Sequence, residues 1–418
     1  MYDLSNLPDF QFPKGFLCGS ACSAYQTEGD NVHSHRWAPE QEGKLGTPSG
    51  KACNGWQLYK QDIELIHDLG HQAYRWGPEW SRLEPTEGEF DHAAAEQYVD
   101  MARRLAQRGI KNFVTLWHWS YPDWYEKRGA FFKQENFAAF ERYVSYIVPK
   151  LAPYVDYWHI FNEFNLHGLD MSTWKLNVLH MHARCYHLIK SLSSGLISCA
   201  HAFPYWGASR PSDRFDNIAT DFTDWMTHEF FFHAIRTGEI VLPFQDAQYD
   251  PLLKGACDFW SVNYYTRHMV DSRLANPKAG KTFAHKHIRF LKAEEMYLKE
   301  IYPEGLIANL ERLKDLPVYI TENGLCCDDD RWRIIYIALH LMAIKEAIDR
   351  GVDVRGYLYW CLMDNYEWGS FEQRFGIVEC DFKTFNRTPR PSAFFLRDVI
   401  RNNGFSQEIL RKYLPAAK

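Results

Sequence analysis

Short apolar stretches rich in aromatic and β-branched residues alternate along the chain with longer ones whose apolar positions recur every three or four residues. The first pattern is that of buried strands and the second that of helices lying on a core. Eight strands are predicted: Phe16 to Ala24, Ala73 to Trp80, Asn112 to Trp119, Tyr157 to Asn162, Leu196 to Phe203, Phe259 to Thr266, Val318 to Thr321 and Arg355 to Met363. Helices between them include Gln57 to Leu69, His92 to Arg108, Asn136 to Leu151, Trp174 to Leu192, Asp221 to Thr237 and Trp332 to Arg350. Eight such βα units close into a (β/α)8 barrel more naturally than they fill an open sheet.

The helix from His92 carries Ala95, Val99, Ala102, Leu105 and Ala106 on one face and Glu96, Asp100, Arg103 and Arg104 on the others, and Gly109 stops it. Pro78 cannot donate to a ladder, so the second strand should end before it. No linker or internal repeat divides the sequence, which makes residues 1–418 one barrel domain. The long interruption from Arg267 to Pro303 reads as a solvated excursion, with an active-site lid as the alternative.

Composition narrows the picture. Hydrophobic residues at 46% and charged ones at 24% are those of an ordinary globular protein. A net charge of -6 leaves no basic excess for phosphates, so no nucleic-acid partner is expected. Fifteen Trp and 24 Tyr are the outlier: they suit a pocket that stacks on sugar faces, although most belong to the core. The N-terminal MYDLSNLPDFQFPKGF lacks the basic start and apolar run of a secretory signal, and no 18-residue apolar window occurs, so a cytoplasmic protein without membrane partner is expected. Ten scattered cysteines read as reduced buried thiols rather than metal ligands, and neither metal nor cofactor is expected.

A barrel of this kind works at the C-terminal ends of its strands. There the third strand reads VTLWHWSYPDW, the fourth IFNEFN, the sixth SVNYYTR, the seventh VYITENG and the eighth YLYWCLMDNYEWG. Glu163 and Glu322, ending strands four and seven, would face each other across the mouth, as glycoside hydrolysis requires. One would protonate the leaving oxygen; the other would attack the anomeric carbon or activate a water, and spacing in sequence does not choose between these. Neither a phosphate cradle nor a Ser/His/Asp arrangement competes, and Gly15 and Gly19 lack the spacing of a dinucleotide loop.

From about Phe12 to Gly404 the chain resembles glycoside hydrolase family 1, the retaining β-glycosidases that include β-glucosidases and β-galactosidases. The resemblance rests on FPKGFLCGSACSAYQTEG, SGKACNGWQLYKQDIELIHDLGHQAYRWGPEWSRLEP, VTLWHWSYPDW, IFNEFN, DFWSVNYYTR, VYITENGL and GYLYWCLMDNYEWGSFEQRFGIVECDF in that order. It implies double displacement, with Glu322 as nucleophile and Glu163 as general acid and then base. Arg75 and Tyr265 match the residues that contact the nucleophile, and Asn162 matches the one that bonds the sugar 2-hydroxyl. Gln26, His118, Trp119, Glu367 and Trp368 match positions holding the hydroxyls of the non-reducing sugar, Trp360 the platform beneath it, and Asn263 part of the same pocket. Glu367, Glu372 and Gln373 stand where the phospho-sugar branch has a serine and basic residues, so an unphosphorylated β-glycoside is implied, a β-glucoside first and a β-galactoside or β-fucoside next.

The chain departs from the family in several places, one being Trp76, Gly77 and Pro78 where relatives often have a Phe-Ser run after the strand-two arginine. Phe164 replaces the proline usual after the acid/base glutamate, which frees a backbone dihedral and restores an N–H. Gly369 to Phe375 is about a residue short, which leaves Phe375 as the phenylalanine near the sugar 6-hydroxyl unless that residue is displaced. Two other functions fit the same residues: a sugar-binding barrel that has lost catalysis, and a transglycosylase in which an acceptor replaces water.

Overall fold

A computed structural model describes residues 4, 7–166, 173–243, 245–274, 285–287 and 300–414. Eight parallel strands close a barrel in sequence order: β1 (Leu17–Ala21), β2 (Ala73–Trp76), β3 (Lys111–Trp117), β4 (Tyr157–Asn162), β5 (Leu196–Ala202), β6 (Trp260–Asn263), β7 (Val318–Glu322) and β8 (Val354–Trp360), with β8 returning to β1. The (β/α)8 expectation holds. Inside the base of the barrel Ala73, Phe113, Phe259, Tyr319 and Leu358 form one apolar cluster, with Tyr157 packed on it and stacked on Phe113 at 4.0 Å. Two residues along each strand toward the C-terminal end, the side chains become Arg75, Thr115, His159, Ser261 and Thr321, all buried. A greasy plug thus carries a polar floor, and strand alternation aligns both layers.

The helix α1 (His92–Gln107) begins where the Asp91 carboxylate accepts from the Ala94 N–H at 2.9 Å. It ends at Gly109, whose φ of 73° permits the turn. Its buried face differs from expectation: Ala94 and Tyr98 join Ala95, Ala102 and Leu105, whereas Val99 is half-buried and Ala106 exposed. Tyr98 turns inward because its hydroxyl has partners there, donating to Glu28 at 2.8 Å and accepting from the Glu79 N–H at 3.0 Å.

Several strands are shorter than their apolar runs. β2 stops at Trp76, and Trp80–Leu83 is a helical turn rather than strand. The run from Phe16 gives way after Ala21 to a helical turn at Ala24–Thr27. Beyond β3, β6 and β8 the residues up to Trp119, Thr266 and Met363 leave the ladder to shape the mouth. The stretch read as one helix from Asp221 to Thr237 belongs to α2 (Arg214–Asp224), a π-helical turn at Trp225–Glu229 and α3 (Phe230–Thr237).

Of the interruption from Arg267 to Pro303, Arg267–Val270 pairs with Tyr205–Ala208 and with His285–His287. Arg267 is tied to Glu300 by two hydrogen bonds of 2.7 and 2.9 Å. Residues 275–284 and 288–299, and with them the lid reading, lie outside the described residues.

Candidate active site

Two irregularities in the barrel aim the site. Between β6 and β7 the register runs Ser261 to Tyr319 and Val262 to Ile320, then skips Thr321 so that Asn263 faces Glu322. Between β4 and β5 it runs His159 to Ser198 and then shifts so that Asn162 faces Ala200. The first shift falls on Glu322 and the second on Asn162, the residue before Glu163. A bulge at a barrel rim re-aims a side chain that strict alternation would send outward.

Glu322 is only 3% exposed. The Arg75 guanidinium donates from Nη1 to its Oε1, and the Tyr265 hydroxyl donates to its Oε2 at 2.6 Å. Arg75 is itself fully buried and spends its other donors on Thr115 Oγ1 at 3.0 Å and Asn162 Oδ1 at 2.6 Å. A buried ion pair is stabilising only when its remaining polar atoms are bonded, as they are here. Burial and then the Glu322 charge push the Tyr265 hydroxyl well above its ordinary range, so it remains a donor. Gly77 and Gly324 permit the crowding: a Cβ would lie 2.1 Å from the Thr115 carbonyl at one and 1.8 Å from the Trp360 carbonyl at the other.

Glu163 lies one residue past β4, half-buried and in the left-handed region at φ 53°. Its N–H donates to the Ala200 carbonyl at 2.7 Å, and Oε1 accepts from Asn263 Nδ2 at 3.0 Å. Asn263 also donates to Asn162 Oδ1 at 3.0 Å and accepts from the Thr321 hydroxyl at 2.8 Å, which links the surroundings of both glutamates. Phe164, in the place of proline, is fully buried with ring centroids 5.6 Å from Phe231 and 6.1 Å from Phe230. Asn165 then donates to the carbonyls of Ala202 at 2.8 Å and Thr227 at 2.9 Å and accepts from the Ala202 N–H at 3.1 Å. An aromatic anchor and an amide clamp hold the turn that a proline would stiffen.

Both glutamates line one cavity of about 410 Å³ together with Gln26, His118, Trp119, Tyr265, Trp360, Glu367, Trp368 and Phe375. Arg75, Asn162 and Asn263 stand behind its wall as supports. Phe375, whose placement the short segment left open, is buried and meets Tyr265 edge-on at 6.2 Å. The His118 ring lies nearly parallel to those of Trp360 and Trp368, at 5.6 and 6.2 Å. Gln26 is fixed by the Ser23 hydroxyl at 2.8 Å and by Asn365 at 3.1 Å. Trp119 and Trp368, like Glu163, have left-handed backbone, at φ 64° and 50°. Such conformations cost about 1–3 kcal/mol each and persist where the surroundings over-determine them, typically at functional sites.

Burial first, and then the Arg75 charge, lower the pKa of His118 far below its ordinary value; His159 is lowered by burial, by Arg75 and then by His118. Both rings are neutral at physiological pH, and His118 Nε2 stands 3.2 Å from Asn162 Nδ2.

Arg36 and Leu166 also line the cavity, and sequence reading missed both. Leu166 follows directly on the Glu163 turn and could have been inferred from it. Arg36 lies in the segment after β1, where no motif marks it. Among the described residues no group of three or more His, Cys, Asp or Glu side chains is arranged to hold a metal. No described helix is long and apolar enough to cross a membrane.

A family model, Glycosyl hydrolase family 1, matches residues 9–405. Among curated relatives, a beta-galactosidase of Sulfolobus acidocaldarius is 28% identical over 95% of this chain and 96% of its own. A 1,4-beta-D-glucan glucohydrolase of Thermotoga neapolitana is 28% identical over 95% and 99%. Among solved structures, a beta-glycosidase from Pyrococcus horikoshii superposes with a TM-score of 0.89 at 34% identity, covering 97% of this chain and 98% of that one. A beta-glucosidase from Thermotoga maritima in complex with glucoimidazole gives 0.85 at 27% identity over 94% and 100%.

Proposed function

Because the chain belongs to glycosyl hydrolase family 1 and is a glycoside hydrolase, we propose that it is a retaining, exo-acting β-glycosidase using Glu322 as nucleophile and Glu163 as acid/base. The observation that carries this reading is the unequal treatment of two glutamates on one cavity. Glu322 is clamped between a buried arginine and a phenol, whereas Glu163 is half-buried beside a neutral amide. The first environment favours a fixed negative charge, and the second leaves a carboxyl free to give and regain a proton.

In the first step Glu322 attacks the anomeric carbon while Glu163 protonates the departing oxygen, giving a glycosyl ester on Glu322 and a free aglycone. In the second, Glu163 takes a proton from water, the water oxygen attacks the same carbon, and Glu322 leaves as carboxylate. Two displacements restore the β configuration. As the ring flattens toward an oxocarbenium ion, Tyr265 and Arg75 hold the carboxylate in line beneath it.

Trp360 provides the apolar face for the sugar, and Gln26, His118, Trp119, Glu367 and Trp368 provide hydroxyl partners. Glu367, 5% exposed on the cavity wall, would repel a sugar phosphate, which favours an unphosphorylated glycone. A β-glucoside is the first choice, with β-galactosides and β-fucosides next. A panel of chromogenic β-glycosides followed by proton NMR tests this: turnover should release the β-anomer first. Release of the α-anomer first, or a folded protein inert on every member, would overturn the reading.

A further inference from the structure

We propose that Arg36 makes this cavity select β-glycosides whose leaving portion carries a carboxylate, such as a phenolic acid or a uronic acid placed beyond the reacting ring. This rests on the hydrolase reading above and adds a substrate class to it. Arg36 is a cation on the wall of the cavity that holds Glu163 and Glu322.

Its nearest anionic neighbour does not use it fully. Nε stands 3.7 Å from Glu40 Oε1, beyond hydrogen-bonding reach, and Glu40 already accepts from the Ser49 N–H at 3.0 Å, the Ser49 hydroxyl at 2.6 Å and the Tyr366 hydroxyl at 3.0 Å. That Nε has no hydrogen-bond partner among the described residues. The flat guanidinium instead lies over the Trp368 ring, 4.8 Å from its centroid. With Nε buried and the Tyr366 hydroxyl also in hydrogen-bonding contact with the guanidinium, it is the outer Nη edge of the fork that can meet a planar carboxylate on the cavity wall in two parallel bonds.

Arg36 is also held in place before any ligand arrives. The preceding His35 stacks on Tyr121 at 3.9 Å and its N–H donates to the Tyr121 carbonyl at 3.0 Å, while Ser34 bridges to Pro122. A donor fixed this way loses little freedom on binding.

Position selects the leaving portion over the sugar ring. Glu322, Trp360 and Glu367 are buried, whereas Arg36 is half-buried and followed by the exposed Ala38, which puts it at the rim. A carboxylate on the ring itself would meet Glu163, Glu322 and Glu367, three groups of its own sign.

The test compares two aryl β-glucosides that differ only in a para-carboxylate against a para-carboxamide, assayed with wild type, Arg36→Gln and Arg36→Lys. Taking the ratio of kcat/KM values for each enzyme and comparing enzymes cancels the intrinsic difference between the two leaving groups. The wild-type ratio should exceed that of Arg36→Gln by about tenfold, a difference of about 1.4 kcal/mol, with Arg36→Lys between them. The excess should shrink as salt is added.

Equal ratios in all three enzymes, or a loss shared equally by both substrates, would mean that Arg36 only braces Glu40 and would overturn the proposal while leaving the hydrolase reading intact. A β-glucuronide cleaved in preference to the neutral glucoside, with that preference lost in Arg36→Gln, would move the carboxylate onto the ring and overturn the assignment to the leaving portion. Failure to turn over any member would sink the hydrolase reading and this proposal together.

Discussion

The two sides of the cavity are built on opposite plans. Glu322 still belongs to the barrel: the residue ends a strand at a register shift, its partners Arg75 and Tyr265 come from β2 and the segment after β6, and an ionic and a phenolic bond hold its two oxygens. Around Glu163 the barrel has already ended, the backbone is left-handed, and the support includes a buried phenylalanine, an asparagine clamp and a neutral amide bond from Asn263. A nucleophile needs to be ionised and in line when the substrate arrives. An acid/base group needs to change charge twice per turnover, and a full set of charged partners would prevent that.

The largest expected effect comes from removing the fixed charge. Glu322→Gly should lower kcat by about 10⁴-fold or more, as removal of a covalent nucleophile does. Azide with an activated β-glucoside should then yield the inverted α-glycosyl azide. If the rescued product were the β-azide, the roles of the two sides would be exchanged.

Glu163→Ala should cost less and unevenly. On glycosides with poor leaving groups the fall should be about 10²–10⁴-fold, while a dinitrophenyl glycoside, which needs no protonation, should still form its glycosyl-enzyme rapidly. Azide should here give the retained β-azide. A loss of equal size for good and poor leaving groups would argue against a proton-transfer role.

Next in size is Tyr265→Phe, which deletes one donor to Glu322 and leaves Arg75 in place. A hydrogen bond to a charged group is worth about 1.5–3 kcal/mol, so kcat/KM should fall by about 10- to 100-fold with the leaving-group dependence unchanged. A loss below about twofold would show that Arg75 alone fixes the nucleophile.

The same contrast separates what the sequence revealed from what it hid. All eight barrel strands were legible because burial on both faces leaves continuous apolar runs, and both glutamates were legible because strand ends locate a barrel's chemistry. Strand limits were not: the aromatic residues that line the mouth beyond β3, β6 and β8 look like more strand, since a run of apolar side chains does not reveal where its backbone leaves the ladder. Neither register shift was visible, because a shift is a relation between two strands. The π-helical turn at Trp225–Glu229 was hidden for a related reason, since one extra residue in a turn barely disturbs an apolar pattern. Arg36 was invisible because only folding brings it against Trp368.

The smallest predicted effect concerns acid. Behind the Glu163 turn His201 and His228 stand 3.2 Å apart, with His228 also 2.9 Å from the Pro204 carbonyl. Burial lowers His228 to about 4 and pushes His201 well below its ordinary value as well. On the cavity wall His118, and in the barrel floor His159, are pushed down by burial and by Arg75 as well. A histidine whose folded pKa is depressed contributes stability that is complete above the unfolded value near 6.5 and is lost as pH falls toward the folded one, because the unfolded chain takes the proton first. His228 alone should therefore remove roughly 1 kcal/mol between about pH 7 and about pH 5.5. The replacement His228→Gln keeps an amide donor for Pro204 but cannot titrate, so its Tm should fall less steeply over that interval than the wild type's. Since the pair packs behind Asn165, acid should loosen the Glu163 side while Glu322 stays clamped, and hydrogen exchange in the turn at Phe164–Leu166 should quicken before exchange in β7 does. Parallel Tm curves for the two proteins, or exchange quickening first in β7, would show that the two sides do not differ in this way.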